Sequence, residues 1–201
     1  MTFTSIRNTV LIAAGSLALA SCGINSVPTA EENAKAKWAD VEAAYQQRAN
    51  LIPNLEAIVK GAAANESEIL VGVAEARAKA GSVQMSSDDL GDGGKMEEYA
   101  AAQEQLGNGL SRLFATVESY PTIQSNQNFT MAQKQVEGLE SRVRIAIKDY
   151  NEAVRQYNTT IRTFPDTIGA NIIHGAEPLV PYTAVTEGAE EAQVMDLGGG
   201  E

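Results

Sequence analysis

FTMAQKQVEGLESRVRIAIKDYNEAVRQYNTTIRTF, Phe129 to Phe164, decides the fold. Steps of alternately three and four residues pick out Phe129, Ala132, Val136, Leu139, Val143, Ala146, Tyr150, Ala153, Tyr157, Thr160 and Phe164. Only Thr160 is neither apolar nor aromatic, so the spacing predicts one long helix with a sustained heptad-like stripe. At 1.5 Å per residue it would span roughly 50 Å. A stripe of that length must be covered, and the rest of the chain supplies helices to cover it.

Upstream, Thr29-Ala30-Glu31-Glu32 has the form of a capping box, with Pro28 outside the helix it opens. That helix carries a second stripe, from Trp38, Val41, Tyr45 and Arg48 through Ile52, Leu55 and Val59 to Glu66, Val73 and Ala80. Pro53 lies inside it and predicts a kink near Ala49 to Pro53, and Gly61 weakens it locally. Lys95 to Tyr120 gives a third stripe (Met96, Tyr99, Gln103, Leu106, Leu110, Leu113, Val117) that Pro121 ends. Gly107 and Gly109 within it either admit a neighbouring helix closely or mark a bend. Asn126 or Asn128 is placed to cap the long helix. Beyond Pro165, Asp166 to His174 fits a short fourth helix with Ile168, Ile172 and Ile173 apolar, closed by Gly175. The fold expected is therefore all-α: an antiparallel bundle of three long helices plus a short fourth over residues 29–175, with an extended, acidic, mostly flexible tail over 176–201, of which Val180, Tyr182, Val185, Val194 and Leu197 could dock parts on the bundle or on a partner.

The first 22 residues, MTFTSIRNTVLIAAGSLALASC, have a different character. Arg7 gives a positive start, and Val10 to Ala20 an apolar run about half the length a membrane span needs. The segment closes on Leu19-Ala20-Ser21-Cys22-Gly23, which matches the bacterial lipobox. Residues 1–21 then read as a lipoprotein signal peptide, Cys22 as the lipid attachment site, and 22–28 as a lipidated spacer. Two or three acyl chains at about 0.8 kcal/mol per buried CH₂ anchor firmly. The other reading of the same residues is an uncleaved anchor ending in an inert Cys. Cys22 is the one cysteine in the sequence, so it forms no internal disulfide.

A formal charge of −11 argues against a nucleic-acid partner, whose binding needs basic patches that displace counterions. Catalytic chemistry finds little purchase. The one His, His174, has no nucleophile at a telling spacing. Zinc-ligand clusters and phosphate-binding loops are absent from the pattern. Asp88, Asp89 and Asp92 fail the calcium-loop spacing, because Leu90 and Tyr99 fall where ligands are needed. No enzyme and no cofactor are expected.

The distinctive polar positions are Arg48 within its stripe and a seven-residue echo, DYNEAVR then QYNTTIR, at 149–162. The echo sets Asn151 beside Tyr150 and Asn158 beside Tyr157, and ends its two units on Arg155 and Arg162. One reading is a recognition patch. The preferred one is a set of register devices, since a buried polar group penalises alignments in which its partner is missing. Arg48 is expected to pair with Glu137 or Glu140 across the bundle.

Tyr45-Gln46-Gln47-Arg48-Ala49-Asn50-Leu51-Ile52-Pro53-Asn54-Leu55 closely resembles a segment of LemA proteins. So do Val117 to Pro121, Ser125 to Phe129, Glu137 to Arg142, Asp149 to Pro165, Pro181-Tyr182 and Glu187-Gly188-Ala189. Gln47 departs from the Arg common there, and IGANIIHG after Phe164 is less aromatic than is usual. The resemblance implies a bacterial envelope protein tethered by its N-terminus, its bundle outside the cytoplasm, without established enzymatic activity. It makes Pro53, Asn54, Tyr150, Tyr157 and Arg162, with Arg48, Asn151 and Asn158, candidate structural or partner-binding residues. The function expected is a non-catalytic, lipid-anchored scaffold with a protein partner in the envelope. The alternative is a ligand-binding or regulatory bundle acting on a membrane protease or transporter.

Overall fold

The computed structural model describes residues 3–62 and 67–183, with side chains over 25–60 and 70–183. Among these residues all regular structure is helical. Helix α1 runs Phe3–Ala62, α2 Ser67–Ser82, α3 Gly93–Val117, α4 Pro121–Gln124, α5 Gln127–Thr160 and α6 Asp166–Gly169. A 3₁₀ turn at Ser87–Asp89 precedes α3, and a π-helical turn at Ala170–His174 follows α6.

The bundle has four long helices, not three. The continuous helix expected over Thr29 to Ala80 is two, because α1 ends at Ala62 and α2 begins at Ser67. Helix α2 runs back beside α1, so that Ala80 and Gly81 stand against Tyr45, Gln46 and Ala49. The physical reason is coverage. A 52-residue rod would extend roughly 78 Å, twice the length of the Lys95–Tyr120 helix meant to shield it. Folding the second half back buries both halves of the stripe. Helix α3 then rises against α2, and α5 descends against α1, giving an up-down-up-down bundle.

Its core has three tiers. At the far end Ile52, Leu55 and Val59 of α1 meet Leu70 and Val73, Leu106 to Val117, and Phe129 to Val136. In the middle Trp38 and Val41 meet Met96, Tyr99, Val143 and Tyr150. Nearest the N-terminal segment, Val27 meets Tyr157, Ile161 and Ala170. Every member of the α3 stripe from Met96 to Val117 is buried. At Gly109 the α2 backbone comes within 3.8 Å of where a Cβ would stand, an ordinary contact distance, so the two helices are neighbours here without the packing demanding a glycine.

Helix ends follow cap chemistry. The Asp92 carboxylate accepts from the Gly94 and Lys95 N–H groups and opens α3, and Asn126 Oδ1 accepts from Asn128 N–H at 2.9 Å and opens α5. Pro28 does not lie outside the first helix. It sits inside α1, which continues unbroken through both Pro28 and Pro53. The Thr29 hydroxyl, expected to cap, instead donates back to Asn25 O at 2.6 Å. Contacts just before Pro28 hold this stretch in place: Val27 is fully buried, and the Ser26 hydroxyl donates to Asp166 at 2.6 Å. The last member of the α5 stripe also departs. The helix stops at Thr160, and Phe164 falls in the following turn, 75% exposed.

Candidate functional site

The seven-residue echo on α5 faces the chain's own C-terminal segment. Gly175 adopts φ +56°, a left-handed conformation that glycine takes without strain, and turns the chain back along α5. Residues 176–183 then run extended and antiparallel to the helix. Asn158 Nδ2–H donates to Leu179 O at 2.8 Å, and Leu179 N–H donates to Asn158 Oδ1 at 2.9 Å. Asn151 repeats the pattern on Tyr182, donating to its carbonyl at 2.9 Å and accepting from its N–H at 2.8 Å. Each carboxamide thus satisfies both backbone groups of one residue. Tyr157 donates to Glu177 O at 3.0 Å and Tyr150 to Val180 O at 2.8 Å. Across the segment, Val180 N–H donates to Leu90 O at 2.8 Å.

The repeat length explains the fit. Seven helical residues advance about 10.5 Å, and three extended residues about 10 Å. Tyr-Asn pairs seven apart therefore meet backbone groups three apart. The start of the tail, 176–183, is accordingly docked, Val180 and Tyr182 among the residues expected to be able to do so; residues 184–201 lie outside the described ones.

Tyr182 ends the docked segment in an aromatic cluster. Its hydroxyl meets that of Tyr45 at 2.7 Å. Tyr45 packs edge-on to Tyr99 at 5.8 Å, and fully buried Trp38 lies 5.4 Å from Tyr99 and 5.1 Å from Tyr150. Burial pushes the hydroxyls of Tyr45, Tyr99, Tyr150, Tyr157 and Tyr182 above the usual phenol range. They keep their protons, as Tyr150 and Tyr157 must to donate to backbone carbonyls.

Arg48 lies one helical turn along α1 from Tyr45, 3% exposed. Its Nη1–H donates to Glu140 Oε1 at 2.9 Å, one of the two acids expected. Its Nη2 donates at 2.9 Å to both Gln103 O and Gln103 Oε1. The guanidinium stands 4.8 Å from the Tyr45 ring centroid. One buried cation thus joins α1, α3 and α5, and touches the aromatic cluster that receives the tail.

The remaining candidates lie apart. Pro53 and Asn54 are exposed on the outer face of α1, away from this network. Arg162 is exposed beyond the end of α5 and lines an open cleft with Asn151, Arg155, Asn158 and Pro181. Arg155 pairs with Glu152 on its own helix. The side chain of Cys22 lies outside the described ones. A second cleft, of about 370 Å³, lies between α1 and residues 80–86, lined by Glu42, Tyr45, Met85, Tyr99 and Gln103 among others. Burial raises the Glu42 carboxyl above its ordinary range.

Gln103 and Tyr182 are site residues that the sequence signalled only faintly. Gln103 is the polar member of an otherwise apolar α3 stripe. Tyr182 is an aromatic behind two prolines, in a stretch whose composition reads as tail.

Among the described residues no three His, Cys, Asp or Glu side chains could hold a metal ion together, and no helix is long and apolar enough to cross a membrane. Asp89 instead accepts from Ser86 and pairs with Lys95.

A sequence model described as the LemA family matches residues 37–195. That stretch takes in the Arg48 network, the Tyr-Asn echo and the docked segment, and begins after Cys22. The chain is also similar to the magnetosome protein MamQ of Magnetospirillum gryphiswaldense, at 29% identity over 157 residues, covering 70% of this chain and 58% of that protein. MamQ 1 and MamQ 2 of Paramagnetospirillum magneticum match over the same shares at 30% identity. The chain thus spans less than two thirds of the length of these relatives.

Proposed function

The chain belongs to the LemA family, and on that premise we propose that it is a non-catalytic scaffold of the bacterial envelope, tethered to a membrane by acyl chains on Cys22. The bundle stands outside the cytoplasm and offers its helical faces to a protein partner. The observation that carries this reading is where the distinctive polar groups go. Arg48, Gln103, Tyr150, Asn151, Tyr157 and Asn158 all make hydrogen bonds inside the fold. They order the structure rather than pairing a nucleophile with an activating base as catalysis requires. The similarity to magnetosome proteins supports a role at a membrane-bounded structure without naming the partner.

The partner face we assign is the open cleft on α5, where Arg155, Thr159 and Arg162 are exposed beside the docked segment. Photo-crosslinking side chains at Thr159 and Arg162, in cells, should trap one reproducible protein. The same probe at Lys134 and Met131, exposed nearer the far end of the helix, should not. Equal adducts from both places, or none from either, would remove the assignment.

A second reading draws on the cleft beside Glu42. Its size suits a small ligand, and its carboxylate and phenols suit one with a cationic or donor group. A ligand there would raise the melting temperature, and Glu42→Ala would abolish that effect.

A further inference from the structure

Seven large apolar side chains are exposed among the described residues, and four of them fall within ten positions: Phe164 at 75%, Ile168 at 51%, Ile172 at 78% and Ile173 at 55%. Val71, Met131 and Ile145 are scattered singly on other helices, as is ordinary for a soluble surface. The cluster is different in kind. In the segment from Phe164 to His174 it is the small residues Gly169 and Ala170 that face inward, Ala170 against Val27, Tyr157 and Ile161. The large apolar residues face outward. That inverts the arrangement of an amphipathic turn in water and suits one whose outer face is not in water.

The location identifies the occupant. The Ser26 hydroxyl donates to Asp166 at 2.6 Å, tying this segment to α1. Ser26 is four residues beyond Cys22 on one continuous helix, which is about 6 Å of rise. The apolar run Val10 to Ala20 precedes it directly. The exposed patch and the attachment point are therefore at the same end of the bundle. We infer that Phe164, Ile168, Ile172 and Ile173 rest in the interfacial layer of the bilayer, as a second contact beside the anchor. The inference rests on the tethering reading above. It assigns the patch to lipid rather than to a second copy or a protein partner. A lipid surface lies within reach of this end whenever Cys22 is acylated, and the neighbouring carboxylate of Asp166 is already bonded to Ser26. One consequence is orientation. A single acyl anchor leaves a bundle free to tilt, whereas a patch at its base fixes which end faces the membrane. The docked segment 177–182 then leads away from the bilayer.

The test uses the full chain as purified from membranes, reconstituted in vesicles of phosphatidylethanolamine and phosphatidylglycerol in equal parts. Phe164→Trp places an indole in the patch, and Thr122→Trp places one on exposed α4 at the opposite end. Lipids brominated at shallow acyl positions quench indoles that reach the interface. After subtraction of the buried Trp38 background, emission from Phe164→Trp should be roughly halved. Emission from Thr122→Trp should be unchanged. Adding Ile172→Asp and Ile173→Asp to Phe164→Trp, two exposed positions that leave the core intact, should restore the emission. Protein that fails to float with the vesicles would overturn the tethering reading and this inference together. Protein that floats while Phe164→Trp stays unquenched, or stays quenched in the aspartate variants, would overturn this inference alone.

Discussion

Asn151 and Asn158 each offer a carboxamide whose donor and acceptor match the N–H and C=O of one residue in the docked segment. Such a pair tolerates no change of charge. Asn158→Asp keeps the acceptor but sets a carboxylate oxygen against Leu179 O, and should cost about 1–3 kcal/mol. Chemical denaturation measures that loss, and hydrogen exchange at the Leu179 amide should quicken while amides in α3 stay protected. Arg48 is the other residue on which several elements converge. Arg48→Met leaves Gln103 without its partner and Glu140 without its counter-charge. Glu140 is partly exposed and can hydrate, so the loss should be about 2–3 kcal/mol, below the range for a wholly buried pair. Urea titration of the pair Arg48→Met and Glu140→Gln, singly and together, should show strong non-additivity. Both sites were visible in the sequence as polar groups out of place. A cation in an apolar stripe announces a buried partner; Glu140, beside the α5 stripe, was one of the two acids expected, and Gln103, which takes two of the three hydrogen bonds, was not foreseen. The echo was equally visible, but its partner was not. Sequence spacing shows that Tyr and Asn recur every seven residues; it does not show that the object they meet is extended backbone advancing three residues per repeat.

At the scale of helices, periodicity finds faces and misses reversals. The stripe from Trp38 to Ala80 keeps its three-four spacing through Glu66, so nothing in the period marks where α1 gives way to α2. The marks are chemical: a charge on the apolar stripe at Glu66, and Gly61 and Asn65, types that end helices. Pro28 misleads in the other direction, because buried Val27 and the Ser26–Asp166 bond keep the helix going through a residue that ordinarily begins one. The α2–α3 contact gives a sharp test of close packing. A Cβ at Gly109 would meet Val73 and Ala76 at 3.7–3.9 Å, ordinary contact distances. Gly109→Ala should therefore stabilise by up to about 1 kcal/mol through helix propensity. Gly109→Leu has no room and should destabilise by about 1–3 kcal/mol. Thermal unfolding followed by circular dichroism separates the two signs.

For the molecule as a whole, stability should carry a pH signature from Glu42. Burial raises its carboxyl in the folded state, so the fold binds this proton more tightly than the unfolded chain does. The favourable contribution is present while the group is protonated and is lost as pH rises through the folded-state value. Glu42→Gln should accordingly raise the melting temperature more at neutral pH than at about pH 4. The same whole-molecule view joins the two ends of the chain. Helix α1 leads from the apolar N-terminal run into the core, α5 returns to that end, and the segment after Gly175 travels outward again to Tyr45. Cys22, the exposed patch at Phe164 to Ile173 and the α5 cleft all lie toward one end of this path. The attachment proposed at Cys22 would give that arrangement its meaning. Mass spectrometry of the mature protein from its native membrane tests it most directly. The expected N-terminal peptide begins at Cys22 and carries diacylglyceryl and acyl mass, and a peptide that begins at Met1 with an unmodified Cys22 would contradict it.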